Sequence, residues 1–149
     1  MTSTPATPDY PFTRTMPVLD CSDIAVSVAF WRDKLGFDAS TWGEPPTFAI
    51  MQRGTASIAL ALMPKDKVAV SRNWAAYIYV KDVDVLYAEY EALGVELPHP
   101  PETRVYNCRE FVVDDPDGHV IAFGQVLNPD PLGPGLGTRV GRDGKAASS

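Results

Sequence analysis

Residues 109–125, Arg-Glu-Phe-Val-Val-Asp-Asp-Pro-Asp-Gly-His-Val-Ile-Ala-Phe-Gly-Gln, constrain the fold of this chain more than any other stretch. Two β-rich runs, Glu110 to Val113 and Val120 to Phe123, flank Asp115-Pro116-Asp117-Gly118. Proline supplies a fixed φ and glycine supplies φ > 0, so the segment predicts a β-hairpin. In its second strand the pleat sends Val120, Ala122 and Gly124 to one face and His119, Ile121 and Phe123 to the other. A strand that is large and apolar on one side and nearly bare on the other is expected to line a space.

The order of elements leading to this hairpin occurs twice. Met16 to Asp20 alternates as a short strand, and Ser22-Asp23 offers N-cap chemistry for a helix from about Ile24 to Leu35, closed by Gly36. Its apolar stripe is expected to be Val26, Ala29, Phe30 and Leu35, with Trp31 beside it. Strands Phe37 to Trp42, Phe48 to Gln52 and Ser57 to Met63 follow, and then a charged loop, Pro64 to Arg72. The second round is a strand Ala75 to Val80, an Asp82 cap, a helix Val83 to Leu93 closed by Gly94, a crossing from Pro98 to Pro101, and the hairpin. Asp23 and Asp82 stand 59 residues apart. The expected fold class is therefore α+β: paired β-α-β-β-β modules, about 15–63 and 75–125, forming a curved, barrel-like sheet with helices outside and a cup inside. An N-terminal arm (1–14) and a Gly/Pro-rich tail (127–149) flank the domain, 15–126.

At 149 residues one core suffices, and a net charge of −6 argues against a nucleic-acid surface. Cys21 and Cys108 are the only cysteines and lack metal or disulfide spacing, so buried thiols in a reducing compartment are expected. No run of about 18 apolar residues and no signal-type N-terminus occurs, which predicts a soluble, cytoplasmic protein with no membrane partner. His99 lies between prolines and His119 flanks the turn; neither forms a Ser-His-Asp or metal pattern. Gly133-Pro-Gly-Leu-Gly137 lacks the Lys-Ser/Thr of a phosphate loop and is expected to be a linker.

The motif Asp23-Ile…Ala-Phe-Trp-Arg-Asp-Lys-Leu-Gly-Phe37, together with Arg109-Glu-Phe…Asp-Pro-Asp-Gly-His-Val-Ile121, resembles the glyoxalase/bleomycin-resistance/dioxygenase superfamily, also called the vicinal oxygen chelate fold. That resemblance implies a homodimer and a ligand held in the cup. It also implies four metal-ligand places, which fall on Met16, Ala59, Ala75 and Ala122. A thioether is soft and a methyl group has no lone pair, so no metal and no other cofactor is expected. Where metal-dependent members carry Gly-x-x-x-Glu, this chain has Gly118-His-Val-Ile-Ala122, which is similar to the metal-free, bleomycin-resistance-like branch.

The ligand-binding residues expected on this basis are Met16, Asp20, Phe48, Ala59, Trp74, Ala75, Tyr77, Tyr79, Tyr106, Glu110, Ala122 and Gly124. Alanine and glycine leave volume; the aromatic rings supply flat walls for an aromatic or cationic small molecule. Tyr77 and Tyr79 are placed on the face of Ala75 by the two-residue period; Arg109 is a candidate to neutralise Glu110 or to orient an anionic ligand, with a surface ion pair the first expectation. Two other functions fit the same fold: a metal-dependent glyoxalase-like or ring-cleaving enzyme, and a dimeric accessory protein without a ligand.

Overall fold

The computed structural model describes residues 11–128 and 140–145. The first round of elements is β1 (Val18–Cys21), α1 (Ile24–Ala29), β2 (Asp38–Trp42), β3 (Phe48–Arg53) and β4 (Ala56–Leu62). The second is β5 (Trp74–Tyr79), α2 (Val83–Ala92), β6 (Glu102–Thr103), β7 (Cys108–Asp114) and β8 (Val120–Val126). Each round builds one four-stranded mixed sheet, ordered β1-β4-β3-β2 and β5-β8-β7-β6, and the fold is α+β. In both sheets the first strand runs parallel to the last and the other pairs are antiparallel. Two-residue β6, paired to β7, was not expected from the sequence.

The helix starts follow from local chemistry. The carboxylates of Asp23 and Asp82 accept hydrogen bonds from the Val26 and Val85 amides, each at 3.1 Å, three residues into their helices. Gly36 and Gly94, at φ 79° and 76°, end the two helical segments as expected. The first helix differs in its path. At Phe30 it widens into a π-helical turn through Lys34, with Leu35 N–H donating to Phe30 C=O at 3.2 Å. Its buried stripe is Ile24, Ser27, Val28, Trp31 and Leu35, whereas the expected Val26 is 52% exposed. Ile24, Val28, Trp31 and Leu35 recur at four, three and four residues, the spacing of a single helical face, and Val26 lies off it. Trp31 is wholly buried, edge-on to Phe37 with ring centres 5.0 Å apart.

The core lies on one face of each sheet. Leu19, Met51, Ile58 and Leu60 from the first sheet join Phe111, Val113, Ile121 and Phe123 from the second, together with the buried helix residues. Phe111 and Phe123 stack at 5.4 Å, with Tyr90 of α2 edge-on to both. The hairpin tip of each repeat grips the other repeat. The Asp117 carboxylate accepts from the Ser22 hydroxyl at 2.5 Å, and the Arg53 guanidinium donates two bonds to Glu89 at 2.8 and 2.9 Å. The fully buried Tyr90 hydroxyl donates to Leu35 C=O at 2.8 Å, which also ties the repeats together.

The loop expected at 64–72 contains a 3₁₀ turn, Lys65–Lys67, and is pinned by the Ala69 amide donating to the Asp20 carboxylate at 2.9 Å. Residues 1–10 of the expected arm, and 129–139 and 146–149 of the expected tail, lie outside the described residues. Leu127 and Asn128, expected to open the tail, are instead bound to Asn107. Among the described residues no helix is long and apolar enough to cross a membrane.

Candidate functional site

On the face turned away from the core, the second sheet presents a run of aromatic and polar groups. Strand register fixes its members: Tyr77 lies beside Ala122 and Tyr79 beside Gly124, while Glu110 is opposite Gly124 and Val112 opposite Ala122. Residues directly opposite in a ladder share a face. Trp74 joins them through a register shift between Trp74 and Ala76, which puts one extra residue in β5 and returns Trp74 to the Tyr77 side. The rings form a continuous wall, Trp74 to Tyr77 at 4.8 Å and Tyr77 to Tyr79 at 5.0 Å.

This shift corrects the expectation for Ala75. The two-residue period placed Ala75 with Tyr77 and Tyr79, but Ala75 is the bulged residue and packs toward the core. Gly124 was expected to leave volume, yet a Cβ there would collide with the Tyr77 ring, so the tyrosine already occupies that space. Ala122, flanked by Tyr77 and Val112, is fully buried. The floor is closed, and the open volume lies further along the sheet.

That volume is a cavity of about 440 Å³ lined by Trp74, Thr103, Arg104, Val105, Tyr106, Glu110 and Val112. The expected residues Trp74, Tyr106 and Glu110 meet in it; Thr103, Arg104, Val105 and Val112 were not foreseen. Glu110 was expected at the mouth of the hairpin, but it stands inside β7 and is 1% exposed. The Tyr106 hydroxyl donates to its Oε1. Burial of that hydroxyl, followed by the hydrogen bond and charge of Glu110, pushes Tyr106 up to about 12. Burial drives Tyr77 well above the ordinary phenol value, with the Cys108 thiol and the Glu110 charge acting the same way. Among the described residues the Tyr77 hydroxyl has no oxygen or nitrogen partner.

Arg109 does not neutralise Glu110, because consecutive strand residues point to opposite faces. It makes a two-pronged pair with Asp84 on α2, at 2.9 to 3.2 Å. Arg104, the cavity's own cation, is held by Glu102 at 3.1 Å. Tyr106 owes its position to Asn107, a non-glycine residue at φ 68°. The Asn107 side chain donates to Asn128 C=O at 2.7 Å and accepts from Asn128 N–H at 3.1 Å, which clamps the β6–β7 turn to the end of β8. An asparagine in a turn tolerates the left-handed region, and this was the sequence signal that the turn was built.

The remaining expected residues belong to the first sheet and do not reach this cavity. Ala59 is fully buried opposite Val18, and Phe48 stands beside Trp42 with ring centres 5.9 Å apart. Met16 precedes β1. Asp20 is spent on fixing structure: its carboxylate holds Ala69, and its carbonyl accepts from His119 Nε2 at 2.7 Å. His119 flanks the turn as expected, and it is also 2% exposed and links the start of β8 to β1. Because the carbonyl can only accept, Nε2 carries the proton. His99 bonds the neighbouring Pro100 C=O at 2.7 Å.

Of the four places that the family resemblance implied for metal ligands, Ala59 and Ala122 stand on the last strands of the two sheets, paired with Val18 and Tyr77, whereas Met16 precedes β1 and Ala75 is the bulged residue of β5. A thioether and three methyl groups offer no hard donor to a divalent cation. Among the described residues no three His, Cys, Asp or Glu side chains are placed to hold one.

The two sheets and their shared element order define an α+β protein of paired β-α-β-β-β modules. Residues 16–123 match the sequence model of the Glyoxalase/Bleomycin resistance protein/Dioxygenase superfamily, and the chain belongs to it. No curated protein matches the chain in sequence. Among solved structures it is similar to the bleomycin-binding protein of bleomycin-producing Streptomyces verticillus, complexed with copper(II)-bleomycin: 27% identity over 76% of this chain and 96% of that one, TM-score 0.62. It shares its fold with a bleomycin resistance determinant encoded on the transposon Tn5 (20% identity, 76% and 98% covered, TM-score 0.65). It also shares its fold with a lactoylglutathione lyase of Agrobacterium tumefaciens (20% identity, 77% and 94% covered, TM-score 0.61).

Proposed function

We propose that this chain is a metal-independent small-molecule-binding protein of the bleomycin-resistance type, which sequesters a planar, aromatic or cationic molecule on the outer face of its second sheet. The observation that carries this reading is the wall of Trp74, Tyr77 and Tyr79 leading into the cavity beside Glu110. An aromatic ring stacked on such a wall gains about 0.5–1.5 kcal/mol beyond the area it buries. The nearness to a bleomycin-binding protein supports the same reading, and the poor donor set at Met16, Ala59, Ala75 and Ala122 weighs against a metal-assisted lyase or dioxygenase.

The same protein is proposed to work as a homodimer. Val18 and Trp42 stand exposed on the outer face of the first sheet, which carries none of the wall residues. Apolar faces of this kind in so small a protein are covered most simply by a two-fold copy. Light scattering at micromolar concentration tests the assembly, and a monodisperse monomer overturns it.

Binding is tested by titrating quinoline and acridine while following tryptophan fluorescence, before and after extensive chelation. Saturable quenching that survives chelation and is lost in Trp74→Ala is the expected result. Quenching abolished by chelation and restored by Zn²⁺, Ni²⁺ or Mn²⁺ would instead favour the metal-dependent enzyme, and no binding by any planar probe would favour an accessory protein.

A further inference from the structure

Among the described residues Glu110 is the one carboxylate that lines the cavity between Trp74 and Tyr106. It is 1% exposed, and it makes no ion pair with any described lysine, arginine or histidine. Its neighbours in charge are already committed: Arg109 to Asp84 on the other face of the strand, and Arg104 to Glu102. Among the described residues only the neutral Tyr106 hydroxyl donates to it, and only to Oε1. A buried carboxylate is costly unless a cation or several donors compensate it, and such a group beside an open cavity is suited to a partner that arrives from outside.

Resting on the reading given under Proposed function, we infer that Glu110 recognises the ligand's positive charge, and that the class of ligand is a flat organic monocation with its charge at the ring edge, such as an amidinium or a protonated ring amine. The ring lies along Trp74, and the N–H groups at its edge reach the Glu110 carboxylate. Tyr106, fixed by Asn107, holds Oε1 in place so that Oε2 meets the cation in one orientation. Geometry favours a fork of two N–H donors over a compact ammonium, because carboxylate and amidinium are both planar and match side by side.

Benzamidine and benzamide provide the test, since they are nearly isosteric and differ in charge. Isothermal titration of the full chain with each, at equal ionic strength, is expected to give benzamidine about tenfold or greater preference, the worth of a charge-assisted bond. In Glu110→Gln, which keeps the side chain's shape, benzamidine should weaken about tenfold or more while benzamide changes less than about threefold. Equal affinity of the two probes for the native chain overturns the inference without requiring any variant, and so does a preference that survives Glu110→Gln. If benzamide and acridine bind and benzamidine gains nothing, only the charge assignment fails. If no planar probe of either charge binds, the binding function fails with it.

Discussion

The ring of Tyr77 lies directly over Gly124 of the neighbouring strand, where a Cβ built on the glycine would meet the tyrosine's ring carbons and hydroxyl. The two residues are one packing unit: the glycine exists so that the ring can lie flat on the sheet, and the ring in turn closes the floor beside Ala122. Gly124→Ala is therefore expected to cost about 1–3 kcal/mol by overpacking. In a Tyr77→Ala background the same change should cost little, because the atoms it strikes are gone. Chemical denaturation of the two single variants and the double variant measures the coupling. Additive effects would mean that the ring lies elsewhere.

Asn107 combines a left-handed backbone with a side chain that bonds Asn128 in both directions. Asn107→Gly keeps the backbone conformation and loses the clamp; Asn107→Ala loses the clamp and adds roughly 1 kcal/mol of backbone strain. Both should loosen Tyr106 over Glu110. Weaker binding of planar probes is expected in each, with the alanine variant also the less stable of the two in thermal melting. Unchanged binding in Asn107→Gly would show that the clamp does not position the site.

The bidentate pair Arg53–Glu89 joins the first hairpin to α2, and Arg53 also donates to Leu35 C=O at 2.9 Å. Its hydrogen bonds to Arg53 lower Glu89 below its ordinary value of 4.5. A depressed carboxylate stabilises the fold above its unfolded value and loses that contribution as pH falls through the folded one. Both side chains are more than a third exposed, so the pair is worth only about 0.5–1 kcal/mol after solvent screening. Glu89→Gln should lower stability by that amount at pH 7, and the difference should shrink as pH falls through the folded value, which lies below 4.5. A difference that does not change with pH across the acid range would point to packing instead of charge.

Asp115 has the opposite sign. Burial raises its carboxyl above the ordinary 3.8, although Oδ1 accepts from the Asp117 and His119 amides at 2.9 and 2.8 Å. A raised carboxylate favours the protonated folded state, so stability falls as pH rises from 3.8 through the folded value and is level beyond it. Asp115→Asn retains an acceptor for both amides and removes that fall. The variant is expected to be as stable as the native chain or up to about 1 kcal/mol more stable at pH 7, whereas Asp115→Ala, which orphans two amides, should cost about 1–3 kcal/mol. Denaturation at pH 4 and pH 7 decides it; an asparagine variant weaker than native at both would contradict the account.

What was legible in the sequence was local. Asp23 and Asp82, Gly36 and Gly94, and Asp-Pro-Asp-Gly act within a few residues of themselves, and the structure starts both helices at the expected residues and places the hairpin strands within three residues of expectation. The site was legible only in part. The aromatic and acidic types were visible at Trp74, Tyr106 and Glu110, but the bulge in β5 depends on how two strands align, which no single-strand period can reveal. The space at Gly124 was likewise misread because its occupant, Tyr77, comes from a strand 47 positions away in the chain. His119 could not be recognised as a core link without knowing that β1 ends beside it.

Cavity-filling separates the open part of this face from its closed floor. The floor residue Ala122 is fully buried between Tyr77 and Val112, so Ala122→Trp has nowhere to go without displacing a ring and should destabilise by several kcal/mol, on the order of 3. Val112 is half-buried, shares a face with Glu110 and borders the cavity, so a larger side chain there can extend into empty volume. Val112→Phe is expected to leave the melting temperature within a few degrees of native while excluding benzamidine and acridine alike. Were Val112→Phe to bind these probes normally, the cavity beside Glu110 would not be where they sit, and the wall of Trp74, Tyr77 and Tyr79 would have to act alone.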